Sequence, residues 1–303
     1  MKLIEKEEMR RLHPIAGLLA AFVACFPLCG IAGGVPPAAG SDAESRAPST
    51  LDAGFQEMYE LDFQGARADF LSYQNANPDD PLGKAAEAAS YLYEQFNSDG
   101  VLSSGFFLND SRLLGGVVGE PSHNRNQPFL EVNAQARQMA KRALQSDPQN
   151  INGLLALTMA DGMESDYDAL IEKKQFASLS LMRQAESEAK TLLAIDPTAQ
   201  DAYVALGASQ YVVGCMPGYK RLFLRIGGVR GDKARGIQEM QIAAEHGRYL
   251  RPFAKILLAL AYEREHQMEQ ARALLAELTV QFPANPLFAR ELALTELDPP
   301  RKQ

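Results

Sequence analysis

The 303-residue chain has no tryptophan, four histidines and three cysteines. His13, His123, His246 and His266 show no metal-ligand spacing, and HExxH, CxxC and G-x-S-x-G motifs are all missing. These absences argue against a histidine-pair zinc site, a dithiol centre and a serine-hydrolase elbow, so neither catalytic residues nor a metal or other cofactor are expected. Runs of alternating apolar and polar β-branched residues are missing too, which argues against a β architecture. After residue 34 charges interrupt the chain every few residues, ruling out a polytopic membrane protein. Two of the cysteines, Cys25 and Cys29, lie in the N-terminal apolar stretch. That leaves Cys215 alone beyond it, without an intramolecular disulfide partner.

What is present is an ordinary globular mixture of 46% apolar and 22% charged residues with a net charge of −8. The first forty residues differ in character. Arg10 and Arg11 precede an apolar run from Ile15 to Cys29, followed by the small residues Gly30, Ile31 and Ala32. A basic end, an apolar core and small side chains at a cleavage point describe a secretory signal peptide over residues 1–32, with cleavage after Ala32. Residues 33–49 then form a Pro/Gly/Ala-rich linker. Glu5, Glu7 and Glu8 before Met9 are unusual for a basic end, and Met9 is an alternative start of translation. Two alternatives tie the product to a membrane: an uncleaved anchor, and lipidation of Cys25 in Phe22-Val-Ala-Cys25, which is similar to a bacterial lipoprotein signal. The expected location is therefore periplasm or cell envelope. The acidic mature chain is a poor prospect for nucleic acid.

Internal periodicity organises the remainder. Phe63, Ala66, Phe70, Tyr73 and Pro78 set a phase, and Ala136, Ala140, Ala143 and Pro148 repeat it. Ala185, Ala189, Leu192 and Pro197, and then Ala271, Leu275, Leu278 and Pro283, repeat it again. The spacing resembles the second helix and closing proline of the tetratricopeptide repeat (TPR), a 34-residue helical hairpin. The two positions at which the helices of such a hairpin cross carry Gly54 with Ala66, Ala88 with Ala136, Thr158 with Ala185, Gly207 with Gly236, and Ala259 with Ala271. All ten are small, as close helix crossing requires. Pro78-Asp-Asp-Pro81 and Asp196-Pro197 through Asp201 supply helix stops and caps.

The expected fold is all-α: a solenoid of about five TPR-like hairpins over 50–297, near 50–77, 82–146, 151–196, 200–247 and 252–282, with two long insertions. Pro286–Leu297 is expected as a C-terminal capping helix, and 298–303 as a tail.

The first insertion, Asn97 to Pro128, is apolar; its Phe106, Phe107, Leu113 and Leu114 are expected to plug the inner surface of the superhelix, or else to form a lid or partner-contacting loop. The second surrounds Cys215. Between Met216 and Arg235 six cations, among them Lys220, Arg221, Arg225 and Arg230, face one acid, a net +5 within an otherwise acidic chain. Such polarity suits an anionic partner, or pairing with neighbouring acidic helices. The cluster Asp161, Glu164, Asp166 and Asp168 is expected to be a solvated helix start.

Resemblance to TPR proteins implies that first helices line a concave, partner-binding groove. Its positions fall on Phe55, Met58 and Tyr59; Ala89, Leu92 and Tyr93; Leu155, Met159 and Met163; Asp201, Ala208 and Tyr211; Ile256, Glu263 and Arg264. Tyr59, Leu92, Tyr93, Met159, Tyr211 and Arg264 are the candidate partner-binding residues. The set is apolar and aromatic, unlike the Lys/Arg-rich groove of TPR domains that clamp C-terminal carboxylates, and suits an amphipathic helix. The expected function is a non-enzymatic exported scaffold binding another envelope protein or peptide through the concave face or the basic loop 216–235. The alternative is an enzyme or small-molecule-binding protein with a site formed by insertions 97–128 and 214–231 against the inner helices, involving Cys215, His246 or Arg225.

Overall fold

The computed structural model describes residues 50–108, 116–117, 123–216 and 231–297. The expected signal peptide, linker and tail therefore lie outside the described residues. Within them there are twelve α-helices, one 3-10 turn and no strand. The helices are α1 (Thr50–Tyr59), α2 (Phe63–Ala76), α3 (Leu82–Ser98), the single turn α4 (Ser104–Phe107), α5 (His123–Ser146) and α6 (Ile151–Leu170). They continue as α7 (Gln175–Ile195), α8 (Tyr203–Cys215), α9 (Lys233–His246), α10 (Arg251–Arg264), α11 (Met268–Gln281) and α12 (Pro286–Leu297). Helices pair as α1/α2, α3/α5, α6/α7, α8/α9 and α10/α11, and each pair packs on the next. This is a TPR-like α-solenoid of five hairpins, and α12 packs on α11 at its end.

Small residues let the paired helices cross. A Cβ on Gly207 would lie 2.8 Å from the Gly236 carbonyl oxygen, and one on Gly236 would lie 2.8 Å from that of Gly207. At the first crossing, a Cβ on Gly54 would lie 2.5 Å from the Phe70 ring and 3.1 Å from the Ala66 carbonyl oxygen. Ala88, Ala136, Thr158, Ala185, Ala259 and Ala271 are all buried.

The turns between paired helices share a device as well. Leu61, Lys173 and His266 have φ of 68°, 58° and 58°, and the residue after each donates backward across the turn. Asp62 N–H reaches Glu57 O at 2.9 Å, Lys174 N–H reaches Asp168 O at 2.7 Å and Gln267 N–H reaches Tyr262 O at 2.7 Å. A left-handed residue followed by such a bond satisfies carbonyls that the helix end leaves open. Asp62 and Asn150 cap α2 and α6 by accepting from the Gly65 and Gly153 amides.

Two features were not legible as repeats. Insertion 97–128 contains helix: α5 begins at His123, five residues before Pro128. The insertion is also pinned inward. Val101 is fully buried, Phe106 is buried, and Val117 N–H donates to Leu170 O at 3.0 Å. Leu113 and Leu114 lie outside the described residues.

The second feature is a seam. A solenoid repeat ordinarily contacts only its neighbours, yet α1 here meets the far end of the array. Tyr59 donates from its hydroxyl to Tyr249 O at 3.2 Å, and Asn285 Nδ2 donates to Tyr59 O at 2.8 Å. Arg248 forks onto Asp52 at 3.1 and 2.9 Å. The rings of Phe55 and Tyr249 stack with centroids 5.1 Å apart, and those of Tyr59 and Phe282 lie 5.5 Å apart. The superhelix thus winds far enough to close its concave face. Asp201, expected to cap a helix of its own hairpin, instead accepts the backbone N–H groups of Arg248, Tyr249 and Leu250 at 2.8–3.1 Å, fixing the approach to α10.

Candidate functional site

Closure of the concave face leaves an apolar cavity of about 250 Å³. The inner helices α1, α3, α6, α8 and α10 supply most of its wall. Leu102, Ser103, Ser104 and Phe107 from the first insertion cover one part, and Leu287, Phe288 and Glu291 of α12 cover another. These covers are tied together, since Glu291 Oε2 accepts from the Ser104 N–H at 3.2 Å and from its hydroxyl. Arg264 Nη1 donates to the Phe107 carbonyl, joining the insertion to α10.

Tyr59, Leu92, Tyr93 and Met159 all line this cavity, as do Phe55, Met58, Ala89, Met163, Asp201, Ala208, Ile256 and Glu263. Leu155, Tyr211 and Arg264 do not. Tyr211 is buried between α8 and α10, where its hydroxyl donates to Ala261 O at 3.3 Å, and Arg264 serves as the strut to Phe107. Lys220, Arg221, Arg225 and Arg230 of the basic loop lie outside the described residues. The ends of that loop are placed: a Cβ on Gly231 would lie 2.2 Å from the Gly214 amide nitrogen, so the chain leaves α8 and returns to α9 at one point. Only glycine permits so close a backbone approach. Cys215 is buried, and His246 lies beside the seam rather than on the cavity.

Among the described residues, the carboxyl groups on the cavity wall are Asp166, Asp201, Glu263 and Glu291, and no Lys, Arg or His lies beside them. Asp201 and Glu291 have the donors described above, and Glu291 also accepts from Arg290 at 2.7 Å. Asp166 and Glu263 have no hydrogen-bond or ion-pair partner among the described residues, and Glu263 is only 9% exposed. Burial pushes the Asp166 carboxyl up to about 7, and burial together with the charge of Glu291 does the same to Glu263. The Tyr93 hydroxyl is pushed well up, chiefly by burial and further by Tyr59 and Asp166.

The expectation that Asp161, Glu164, Asp166 and Asp168 form a solvated helix start is overturned. They occupy the second half of α6, and Asp161 is 1% exposed. Arg137 from α5 pairs with Asp161 at 2.7 Å and with Glu164 at 2.6 Å. Helical geometry explains the split. At about 100° per residue, positions 161, 164 and 168 share one face, while 166 falls on the opposite one with Met159, Gly162 and Met163. That offset was the readable signal for Asp166. Among the described residues no group of three or more His, Cys, Asp or Glu is placed to hold a metal ion.

The architecture defines the class: the chain resembles TPR proteins, with successive antiparallel hairpins stacked into a solenoid. No family model matches the sequence, and no curated protein matches it. A solved structure with a similar helical arrangement is a thermophilic TPR protein of Thermus thermophilus, at 16% identity over 82% of this chain and 98% of that one, with a TM-score of 0.44.

Proposed function

We propose that the protein is a non-enzymatic, exported TPR-like scaffold of the bacterial cell envelope that engages an envelope protein or peptide by taking an apolar part of it into the concave cavity. The observation that carries this reading is the convergence of Tyr59, Leu92, Tyr93 and Met159, from three successive hairpins, on one apolar cavity. Tyr59, Leu92 and Met159 also belong to the packed core; the apolar surface they still present to the cavity gains roughly 25 cal/mol per Å² when a guest buries it. The size of the cavity refines the mode of binding. An α-helix with side chains is about 10–12 Å across, too wide for this space, so apolar side chains or an extended tail enter in place of the amphipathic helix suggested by the sequence. The basic segment 216–235 supplies a second contact for an acidic partner surface.

In vivo photo-crosslinking tests the reading. A benzophenone side chain at Leu102, on the cavity wall, should trap one recurrent envelope protein, whereas the same probe at Phe176, 76% exposed outside the cavity, should not. Equal labelling from both positions, or none from either, would count against a partner in the cavity. A second reading is favoured by the covers made by 102–107 and α12: the enclosed space suits a small apolar molecule.

A further inference from the structure

The cavity is covered where two segments distant in sequence meet, the turn 103–107 and helix α12. Their polar contact converges on one buried carboxyl. Glu291 Oε2 accepts from the Ser104 N–H at 3.2 Å and from the Ser104 hydroxyl, while Oε1 accepts from Arg290 at 2.7 Å. On the same wall, close enough to feel the charge of Glu291, is Glu263 of α10. It is 9% exposed, and its carboxyl has no hydrogen-bond or ion-pair partner among the described residues. A buried carboxylate without a donor is costly, and a second negative charge beside it adds to that cost.

We propose that the Glu291–Ser104 contact is a latch over the cavity and that Glu263 is its release. With Glu263 protonated the latch holds. With Glu263 ionised, two carboxylates crowd one wall, the contact to Ser104 gives way, and the turn 103–107 parts from α12 to admit the guest. The inference rests on the reading that the cavity is where a guest binds, and adds to it the control of entry.

The remaining charges around α10 are engaged elsewhere or lie farther along the wall. Asp166 of α6 and Asp201 line the cavity, together with Tyr59 of α1 and Tyr93 of α3. From α8 Tyr211 donates to Ala261 O, and from α9 Lys233 pairs with Glu265 and Arg235 with Glu239. From α11 Glu277 pairs with Lys255, and Arg272 donates to Thr295 O. Arg264, next to Glu263 in the chain, reaches the Phe107 carbonyl. Among all of these and Glu291, the charge that acts on Glu263 is that of Glu291.

Burial, and after it the charge of Glu291, hold the Glu263 carboxyl at about 7 in the closed protein; opened to water it returns to the ordinary 4.5. The closed form therefore binds the proton more tightly, and opening is favoured as pH rises from 4.5, levelling off above 7. Between pH 6 and 8 that linkage raises the open fraction about tenfold.

Hydrogen exchange of segment 102–108, which contains the latched Ser104 amide, reads the latch without any ligand. Expressed relative to the intrinsic rate at each pH, protection of this segment in the purified protein is expected to fall about tenfold between pH 6 and 8, while that of α2 stays level. Glu263→Gln, which keeps the shape and cannot ionise, should hold the segment protected at both pH values, and Asp166→Asn should leave the fall in place. A fall of less than about twofold in wild type, an equal fall in Glu263→Gln, or its loss in Asp166→Asn would overturn the latch. Uptake of N-phenyl-1-naphthylamine, an uncharged apolar dye, tests the cavity separately: its entry should quicken as protection is lost. Loss of protection without dye uptake at either pH would leave the latch standing and overturn the cavity reading.

Discussion

Replacing Glu263 by glutamine is expected to stabilise the protein above neutral pH and to do nothing at low pH. In the folded chain the carboxyl is held at about 7 by burial and by Glu291, against an ordinary value of 4.5. Below pH 4.5 it is neutral in both folded and unfolded chains and contributes no difference. Between 4.5 and 7 the unfolded chain ionises while the folded one does not, so stability is lost as pH rises. Above 7 the loss is complete. At about 1.4 kcal/mol per pH unit, that interval is worth about 3 kcal/mol. Glutamine keeps the shape and removes the ionisation, so urea denaturation should show Glu263→Gln more stable than wild type by about 3 kcal/mol at pH 8 and indistinguishable from it at about pH 3.5. A variant that is destabilised, or whose difference from wild type does not change with pH, would refute an unpartnered buried carboxyl at this position.

Other consequences follow from the packing. Gly207→Ala should cost about 3 kcal/mol in a denaturant titration, because its Cβ would sit 2.8 Å from the Gly236 oxygen and from the Met240 nitrogen, both backbone atoms that move reluctantly. Arg137→Met leaves Asp161 buried without its cation and should cost about 3 kcal/mol at neutral pH, the low end for a broken buried pair because the guanidinium is 21% exposed. Asn285→Ala removes the bond to the Tyr59 carbonyl across the seam. It should cost about 1–2 kcal/mol and accelerate amide exchange in α1 more than in α6.

Much of the fold was legible because its determinants are local. The five small-residue pairs and the closing prolines each depend on one hairpin, and so does helix α12, whose ends match the expected Pro286–Leu297. The seam was not legible. Whether Asn285 meets Tyr59 depends on the summed twist of five hairpins, a quantity that no single repeat encodes. Groove positions transferred from the TPR pattern place twelve residues on the cavity, because each first helix turns one face inward. They misplace Leu155, Tyr211 and Arg264, the last two for different reasons. Tyr211 lies at a helix crossing, where a Cβ on Gly236 would approach its own Cβ to 2.8 Å, and Arg264 is recruited by a carbonyl of the insertion. Asp166 was masked by its acidic neighbours, although its offset from their shared face was readable. Insertions are where repeat logic ends. The start of α5 before Pro128 and the inward anchoring of Val101 follow from tertiary contacts, not from the 34-residue period.

The claim that the concave cavity is the binding site is tested most directly at Gly162. This glycine lines the cavity, and a Cβ there would meet nothing within 4 Å. A side chain added there starts into open space, not against a neighbour, and phenylalanine improves on glycine in a helix interior by roughly 0.5 kcal/mol. The measurement is photo-crosslinking capture in the native cell with the probe at Leu102, comparing wild type with Gly162→Phe and recording the melting temperature of each. The predicted result is loss of the captured partner with a melting temperature unchanged or raised. Undiminished capture by a folded Gly162→Phe protein would contradict the account.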